Sequence, residues 1–402
     1  MNIVIAHFNT NWVNFSGGVE KVTCQLANAL CKRGHQVTIL YRDGKEGPPY
    51  FPLDSSVKTD NILFENGKKV ISEKLPPHYR IGREIARVFS QKAAQGINAQ
   101  HKGKQYGAAI RKRLSQIQPD VIITTSVPST VYTLTDTGYR GPLVTMIHAQ
   151  PDIQFPLLSE REKKYAAQSS VIQILTPSGI TTAKRYFPNT NICVIGNTVE
   201  IPRSLNNRNP DIPIITSVGT ICDRKNQRLI ISAFKLIANR FPKWHVELWG
   251  SVDENYGNLL KKDIHESGFE DRIHIKGQTS HVLEDVYSRS NIFATPSKAE
   301  GFSLALTEAM AAGLPPVALS NYPGNIDLIK NEQTGFLTKN NPQSFAAALA
   351  RLMEDAELRQ KMGSAARESM LQYDPEVIFN QWESLLNDLV KNLKLQVQIE
   401  HL

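Results

Sequence analysis

Cysteine is scarce in this chain of 402 residues: Cys24, Cys31, Cys193 and Cys222 are scattered, and none stands in a C-x-x-C pair. That spacing supports neither a zinc site nor a disulfide framework. Long apolar runs are also missing; none approaches the ~20 residues that cross a bilayer. The start, MNIVIAHFN, goes straight into a strand-like segment with no basic leader or small-residue cleavage site, so a cytoplasmic protein is expected. No G-x-G-x-x-G occurs, and the dinucleotide fingerprint is not met. Acidic residues are nearly absent from one stretch, residues 68–113, which carries 12 basic and 2 acidic side chains.

The net charge of +8 is therefore one-sided. Residues 1–200 hold 24 Lys+Arg against 14 Asp+Glu, or +10, and residues 201–402 hold 22 against 24, or −2. Such a field points to a polyanionic partner, an anionic membrane surface or nucleic acid. Within the basic stretch Ile81, Ile85, Val88 and Phe89 interleave with Arg80, Arg83, Arg87 and Lys92. That spacing allows an interfacial helix with an apolar stripe and a basic flank, or an ordinary surface helix with solvated charges. Interleaved surface aromatics and a nucleic-acid motif are both missing, so no nucleic acid is expected.

The length exceeds one ordinary core, and two domains are expected. Asn2–Phe8 reads as a strand, Asn14–Gly18 as a glycine turn, Val19–Arg33 as a helix and Gln36–Tyr41 as the next strand. This βαβ start places Gly17 and Gly18 where a doubly wound sheet presents its loops to ligands. Asp43–Arg113 is the least regular region, broken by Pro48-Pro49, Pro52 and Pro76-Pro77. Asp120–Thr125, Leu143–Ile147, Ser170–Leu175 and Asn191–Ile195 read as buried parallel strands. His148 stands at the end of the second of these. A polar stretch with several Asn at 197–210 reads as a linker, and a fresh alternating series begins at Asp211–Val218. The end of the chain is helical, with an amphipathic helix from Pro375.

Two constellations carry chemistry. SKAEGFSLALTEAMAAG, residues 297–313, sets Glu300 and Glu308 eight residues apart, with Glu300-Gly301-Phe302-Ser303 as a strand-to-helix turn. Such a turn points backbone N–H groups and the positive end of a helix dipole out of the sheet edge, which suits an anion. Glu308 is expected about two turns further along, so the two carboxylates meet different parts of a long ligand with hydroxyls at its ends. Arg224-Lys225 lies in the loop after another strand, at the same sheet edge, so the cation pair and the helix N-terminus are expected to converge on a pyrophosphate.

E-x7-E at Glu300 and Glu308, the Gly17-Gly18 loop with its helix and RGHQVTIL, the GTICDRKNQ loop, IGNTVE and TGFLT together resemble the retaining glycosyltransferases of family 4. The resemblance covers nearly the whole chain and is weakest over residues 43–115. It implies an α/β protein of GT-B fold, two doubly wound Rossmann-like domains facing across a cleft. Residues 1–196 would be the acceptor-side domain, 197–210 the linker, 211–374 the nucleotide-sugar domain, and 375–402 a helix crossing back to the first domain. It implies that Glu308 holds ribose hydroxyls, Glu300 the donor-sugar hydroxyls and Lys225 the phosphate. Gly18 would admit the diphosphate, and His148 would lie near sugar and acceptor. Gly301, Phe302 and Ser303 would offer N–H groups to the leaving phosphate. The family usually has Arg directly after the strand glycine; here Thr220 stands there, and Arg224 could supply the charge from the same loop.

The expected reaction moves a hexose-type sugar from a nucleotide-diphospho-sugar, a UDP-sugar, to a hydroxyl of a lipid-linked or cell-envelope glycan. Asp-x-Asp does not occur, so no metal and no further cofactor is required. The expected place is the cytoplasm, peripheral at the inner membrane face through residues 68–113. A same-fold sugar-nucleotide epimerase is the alternative, and a non-catalytic basic nucleic-acid binder the distant one.

Overall fold

The computed structural model describes residues 1–72, 76–89, 91–203 and 212–400. These fall into two compact units: Met1–Leu175, Ile180–Ile195 and the chain from Phe379 form one, and Thr176–Gly179 with Gly196–Ile378 the other. The expected linker at 197–210 lies partly outside the described residues. Its described part, 197–203, groups with the second unit.

The first unit is built on β1 (Asn2–His7), β2 (Gln36–Tyr41), β3 (Lys58–Asn61), β6 (Val121–Thr124), β7 (Leu143–Met146), β8 (Val171–Ile174) and β9 (Asn191–Val194), with a small hairpin of β4 (Phe64–Glu65) and β5 (Lys68–Lys69) between β3 and β6. The seven main strands are parallel, in the order β3-β2-β1-β6-β7-β8-β9. Ile3, Val4, Ile5, Ile122 and Ile123 are wholly buried, because helices cover both faces of such a sheet and its strands need no polar side. The chain runs outward from β1 to β3 and then returns to β6 beside β1. That reversal is the topological switch point. β9 departs from the expectation of a buried strand: it is an edge, and its residues are exposed or half-buried.

The second unit repeats the logic with β10 (Ile214–Val218), β11 (His245–Trp249), β12 (Ile273–Gly277), β13 (Ile292–Thr295), β14 (Pro316–Leu319) and β15 (Phe336–Thr338), all parallel, in the order β12-β11-β10-β13-β14-β15. Asp211 of the expected first strand lies outside the described residues. Its core gathers Ile215, Phe234, Val246, Leu248, Phe345 and Leu349. The switch here falls between β10 and β13.

The stretch Asp43–Arg113, expected to be the least regular, contains β3, the β4–β5 hairpin, the helix Pro77–Phe89 where helical spacing was read, and the helix Gln91–Ile117. β3 and the long helix were not foreseen, and each has a physical cause. β3 reads KTDN and pairs only with β2, so it shows no apolar alternation. The long helix carries Gly107, and a Cβ there would come within 2.5 Å of the Thr135 carbonyl oxygen. A residue that weakens helix propensity is thus required by close packing. No helix among the described residues is long and apolar enough to cross a membrane.

Candidate active site

In the second unit, the loops leaving β10 and β13 flank the switch point and carry the expected residues. After β10 the chain passes Gly219, at φ +140, and makes one tight turn at Asp223–Lys225 before the helix Arg228–Ile237. A Cβ on Gly219 would lie 3.2 Å from Lys225 Cε. The glycine therefore answers two needs, a backbone conformation closed to most side chains and room for the lysine stem. After β13 the chain reaches Glu300, and Ser303 caps the helix Leu304–Ala311 by accepting from the Leu306 N–H at 3.4 Å.

The two loops are tied together. Lys225 Nζ lies 2.5 Å from Glu300 Oε1, and Arg224 Nη1 lies 3.2 Å from the same oxygen while donating to the Ala299 carbonyl at 3.0 Å. The Lys298 N–H donates to the Arg224 carbonyl at 2.8 Å, and Lys298 Nζ pairs with Asp223 Oδ1 at 2.8 Å. Sequence reasoning expected the Arg224-Lys225 loop and the Glu300–Ser303 turn to meet at one sheet edge; the ion pairs of both cations with Glu300 were not foreseen.

Glu308 requires a correction. Helix begins only at Leu304, because Ser303 is extended, with ψ 101. The path from Glu300 to Glu308 is thus a turn followed by one helical turn, not two turns of helix. The Tyr287 hydroxyl has one proton, shared between the Ala305 carbonyl at 3.1 Å and Glu308 Oε2 at 3.4 Å. Burial, and then the Glu308 carboxylate, push the Tyr287 phenol well above its ordinary pKa, so it remains a donor. Gly301 is half-buried, and Phe302 is buried with its ring edge-on to Tyr373 at 5.1 Å. Thr220 lies exposed; its carbonyl accepts from Gln227 Nε2 at 3.1 Å.

In the first unit the switch-point strands end at His7 and, just past β6, Thr125. His7 is buried: Nδ1 lies 3.1 Å from Thr125 Oγ1, and Nε2 lies 3.2 Å from Glu20 Oε1 and 3.0 Å from Thr10 Oγ1. Thr10 Oγ1 also donates to Glu20. Burial acts to raise the Glu20 carboxyl, but the hydrogen bonds from His7 and Thr10 outweigh it and hold it below its ordinary range. Gly17 is the N-cap of the helix Gly18–Lys32. A Cβ on Gly17 would overlap the Glu20 carboxylate and lie 2.9 Å from Phe15 Cε1. Gly18 opens that helix.

His148 follows β7 at the same sheet edge. Its Nε2 is buried with no partner among the described residues. Burial, reinforced by the His7 imidazole and opposed by Glu20, pushes it down to about 4. A neutral ring with an open nitrogen can donate to or accept from a hydroxyl. Sequence reasoning missed His7 and Glu20. The signal that singled out His148, a titratable residue at a strand end, applied equally to His7, and Glu20 stands in the same GGVE turn as the glycines.

Residues 199–369 match the family described as Glycosyl transferases group 1, and residues 16–203 match Glycosyltransferase Family 4. An uncharacterized glycosyltransferase of Haemophilus influenzae is 26% identical over 93% of this chain and 97% of its own length. The amylovoran biosynthesis glycosyltransferase of Erwinia amylovora is 23% identical over 93% and 97%. Among solved structures, the pneumococcal O-GlcNAc transferase in complex with UDP and GlcNAc superposes with a TM-score of 0.73 at 14% identity, over 97% of this chain and 99% of that one. Matched along nearly its whole length, with two doubly wound parallel sheets and the E-x7-E pair at the second switch point, the chain belongs to the family 4 glycosyltransferases of GT-B fold.

Proposed function

We propose that this glycosyltransferase moves a hexose-type sugar from a UDP-sugar, with retention at the anomeric carbon, to a hydroxyl of a lipid-linked or cell-envelope glycan. The observation that carries the reading is the convergence of Lys225, Arg224 and Glu300 where the loops after β10 and β13 meet. Departure of a nucleoside diphosphate develops negative charge on the phosphates, and cations beside a strand-to-helix turn stabilise that charge. Lys225, Arg224 and the N–H groups of Gly301, Phe302 and Ser303 take that part. Glu308, oriented by Tyr287, takes the ribose hydroxyls, and Glu300 the sugar hydroxyls. His148 takes a hydroxyl near the sugar or acceptor, and Gly17 and Gly18 admit the diphosphate. With no carboxylate assigned as nucleophile, the leaving phosphate assists removal of the acceptor proton on the same face.

The bound UDP and GlcNAc of the pneumococcal protein favour a UDP donor, and a capsular polysaccharide biosynthesis glycosyltransferase of Staphylococcus aureus, 27% identical over 44% of this chain, favours a cell-envelope glycan acceptor. Attachment to an anionic membrane face is supported by the helix Pro77–Phe89, where Ile81 and Ile85 are 64% and 57% exposed. Arg83 and Arg87 both pair with Glu84, which reduces the charge that helix offers. The side chains of Val88, Phe89 and Lys92, counted in the expected stripe, lie outside the described residues.

The test is thermal stabilisation across UDP, GDP, ADP and dTDP and their sugars. The expected result is a shift with UDP that Glu308→Ala removes. Turnover of donor without acceptor would favour an epimerase instead. No shift with any nucleotide in folded protein removes the reading. Vesicle pelleting with anionic lipid tests the membrane part, which falls if neutralising Arg80, Arg83 and Arg87 changes nothing.

A further inference from the structure

We propose that Glu300 is an internal competitor of the leaving group: its carboxylate holds the cations the diphosphate must use, and it reclaims them once the sugar has left, which drives release of the spent nucleotide. The inference rests on the donor-site reading above. Glu300 Oε1 alone receives both Lys225 at 2.5 Å and Arg224 at 3.2 Å. The Glu300 and Lys225 side chains are 12% and 14% exposed, so water and salt screen their attraction far less than that of a surface pair. The Lys225 stem runs beside Gly219, where a Cβ would lie 3.2 Å from Cε. The acid in the cations' own loop, Asp223, is occupied by Lys298 and 79% exposed, so it does not take this place.

A phosphate therefore meets cations already partly neutralised. Binding it exchanges one anion for another, and Glu300 must then find new partners. A donor that still carries its sugar offers hydroxyls to the displaced carboxylate. A nucleoside diphosphate offers none, and it leaves a shielded carboxylate beside phosphate charge, which is costly. Glu300 thus separates donor from product by differential interaction, the only means by which an equilibrium can be shifted.

The test first selects, by thermal shift on the wild-type chain, the nucleoside diphosphate among UDP, GDP, ADP and dTDP that binds. It then titrates that diphosphate and its sugar by calorimetry into wild type, Glu300→Gln and Asp223→Asn. Glu300→Gln is expected to bind the diphosphate about tenfold tighter, about 1.4 kcal/mol, and the sugar-bearing donor no tighter. Asp223→Asn, a carboxylate lost from the loop that carries the two cations, is expected to change either affinity by less than about twofold, as a screened surface charge does. In a Lys225→Met background the gain from Glu300→Gln should shrink, because the released cation is no longer there. Equal diphosphate affinity in wild type and a folded Glu300→Gln overturns the proposal while leaving the donor site standing. An undiminished gain in the Lys225→Met background overturns it too. If none of the four diphosphates stabilises the wild type, the donor-site reading falls and this proposal with it.

Discussion

Glu20 reaches His7 across the space that Gly17 leaves open: Oε1 lies 3.2 Å from Nε2, both side chains are buried, and a Cβ on Gly17 would overlap the carboxylate. The glycine pair singled out as a loop for a diphosphate thus has a second, structural reason at its first member. Gly17 sits at φ −81 and ψ 159, a backbone any residue adopts.

Gly17→Ala should therefore destabilise, chiefly through the clash with the buried carboxylate and in smaller part because alanine is a poor N-cap, by about 1–3 kcal/mol. Chemical denaturation measures it. With Glu20→Ala the overlap with the carboxylate disappears and the 2.9 Å contact with Phe15 Cε1 remains, so the double variant should lose clearly less than the sum of the two singles. Additive losses would place the cost elsewhere.

His148 gives a pH signature. Its folded value of about 4 lies below the ordinary 6.5, so the neutral ring is the form the fold favours. Stability from this group is present above about pH 6.5 and is lost as pH falls towards 4. At 1.36 kcal/mol per unit the full loss is about 3 kcal/mol. Unfolding of wild type and His148→Gln between pH 7 and 4 checks the sign: the variant should lose this slope. Glu20, held below its ordinary 4.5, adds a loss with falling pH only at the acid end of the range, and that part remains in the variant.

Tyr287 is the buried anchor of Glu308. Tyr287→Phe keeps the ring and removes the hydroxyl that serves Glu308 and the Ala305 carbonyl. Stability should fall by about 0.5–1.5 kcal/mol. Nucleotide affinity should fall by several-fold as the carboxylate loses its orientation, a loss of about 1 kcal/mol. Because the phenol titrates well above its ordinary value, the wild-type affinity should show no step near pH 10. Unchanged affinity in the variant would remove Tyr287 from the site.

How much of this was legible in the sequence depends on how locally each feature is encoded. β1, β6 and β7 of the first sheet and β13 and β14 of the second are short, mostly apolar runs, and both sheets could be read from such strands. Glu300 and Glu308 could be read because they flank a strand-to-helix turn. β3 could not, since KTDN is an edge strand with no apolar side. Tyr287 and the pairing of Lys225 with Glu300 could not either, because those contacts join residues 21 and 75 apart in the chain. Gly107 shows the same limit: its reason lies on Thr135, in another element.

Thr220 stands where family members usually carry arginine, and Arg224 brings a guanidinium to Glu300 from the same loop. If Arg224 replaces the missing charge, Arg224→Ala should lower kcat/KM for the donor by about 100-fold, the scale for loss of one charge-stabilising group. Thr220 is exposed, so an arginine there meets no packed core and should leave stability within about 0.5 kcal/mol. Thr220→Arg in the Arg224→Ala background should then recover most of the loss, while Thr220→Arg alone should change kcat/KM by no more than a few-fold, since one cation already serves the phosphate. Steady-state kinetics of the four proteins decides it. Wild-type kcat/KM in Arg224→Ala would mean that Lys225 and the strand-to-helix turn carry the diphosphate without a second side-chain cation.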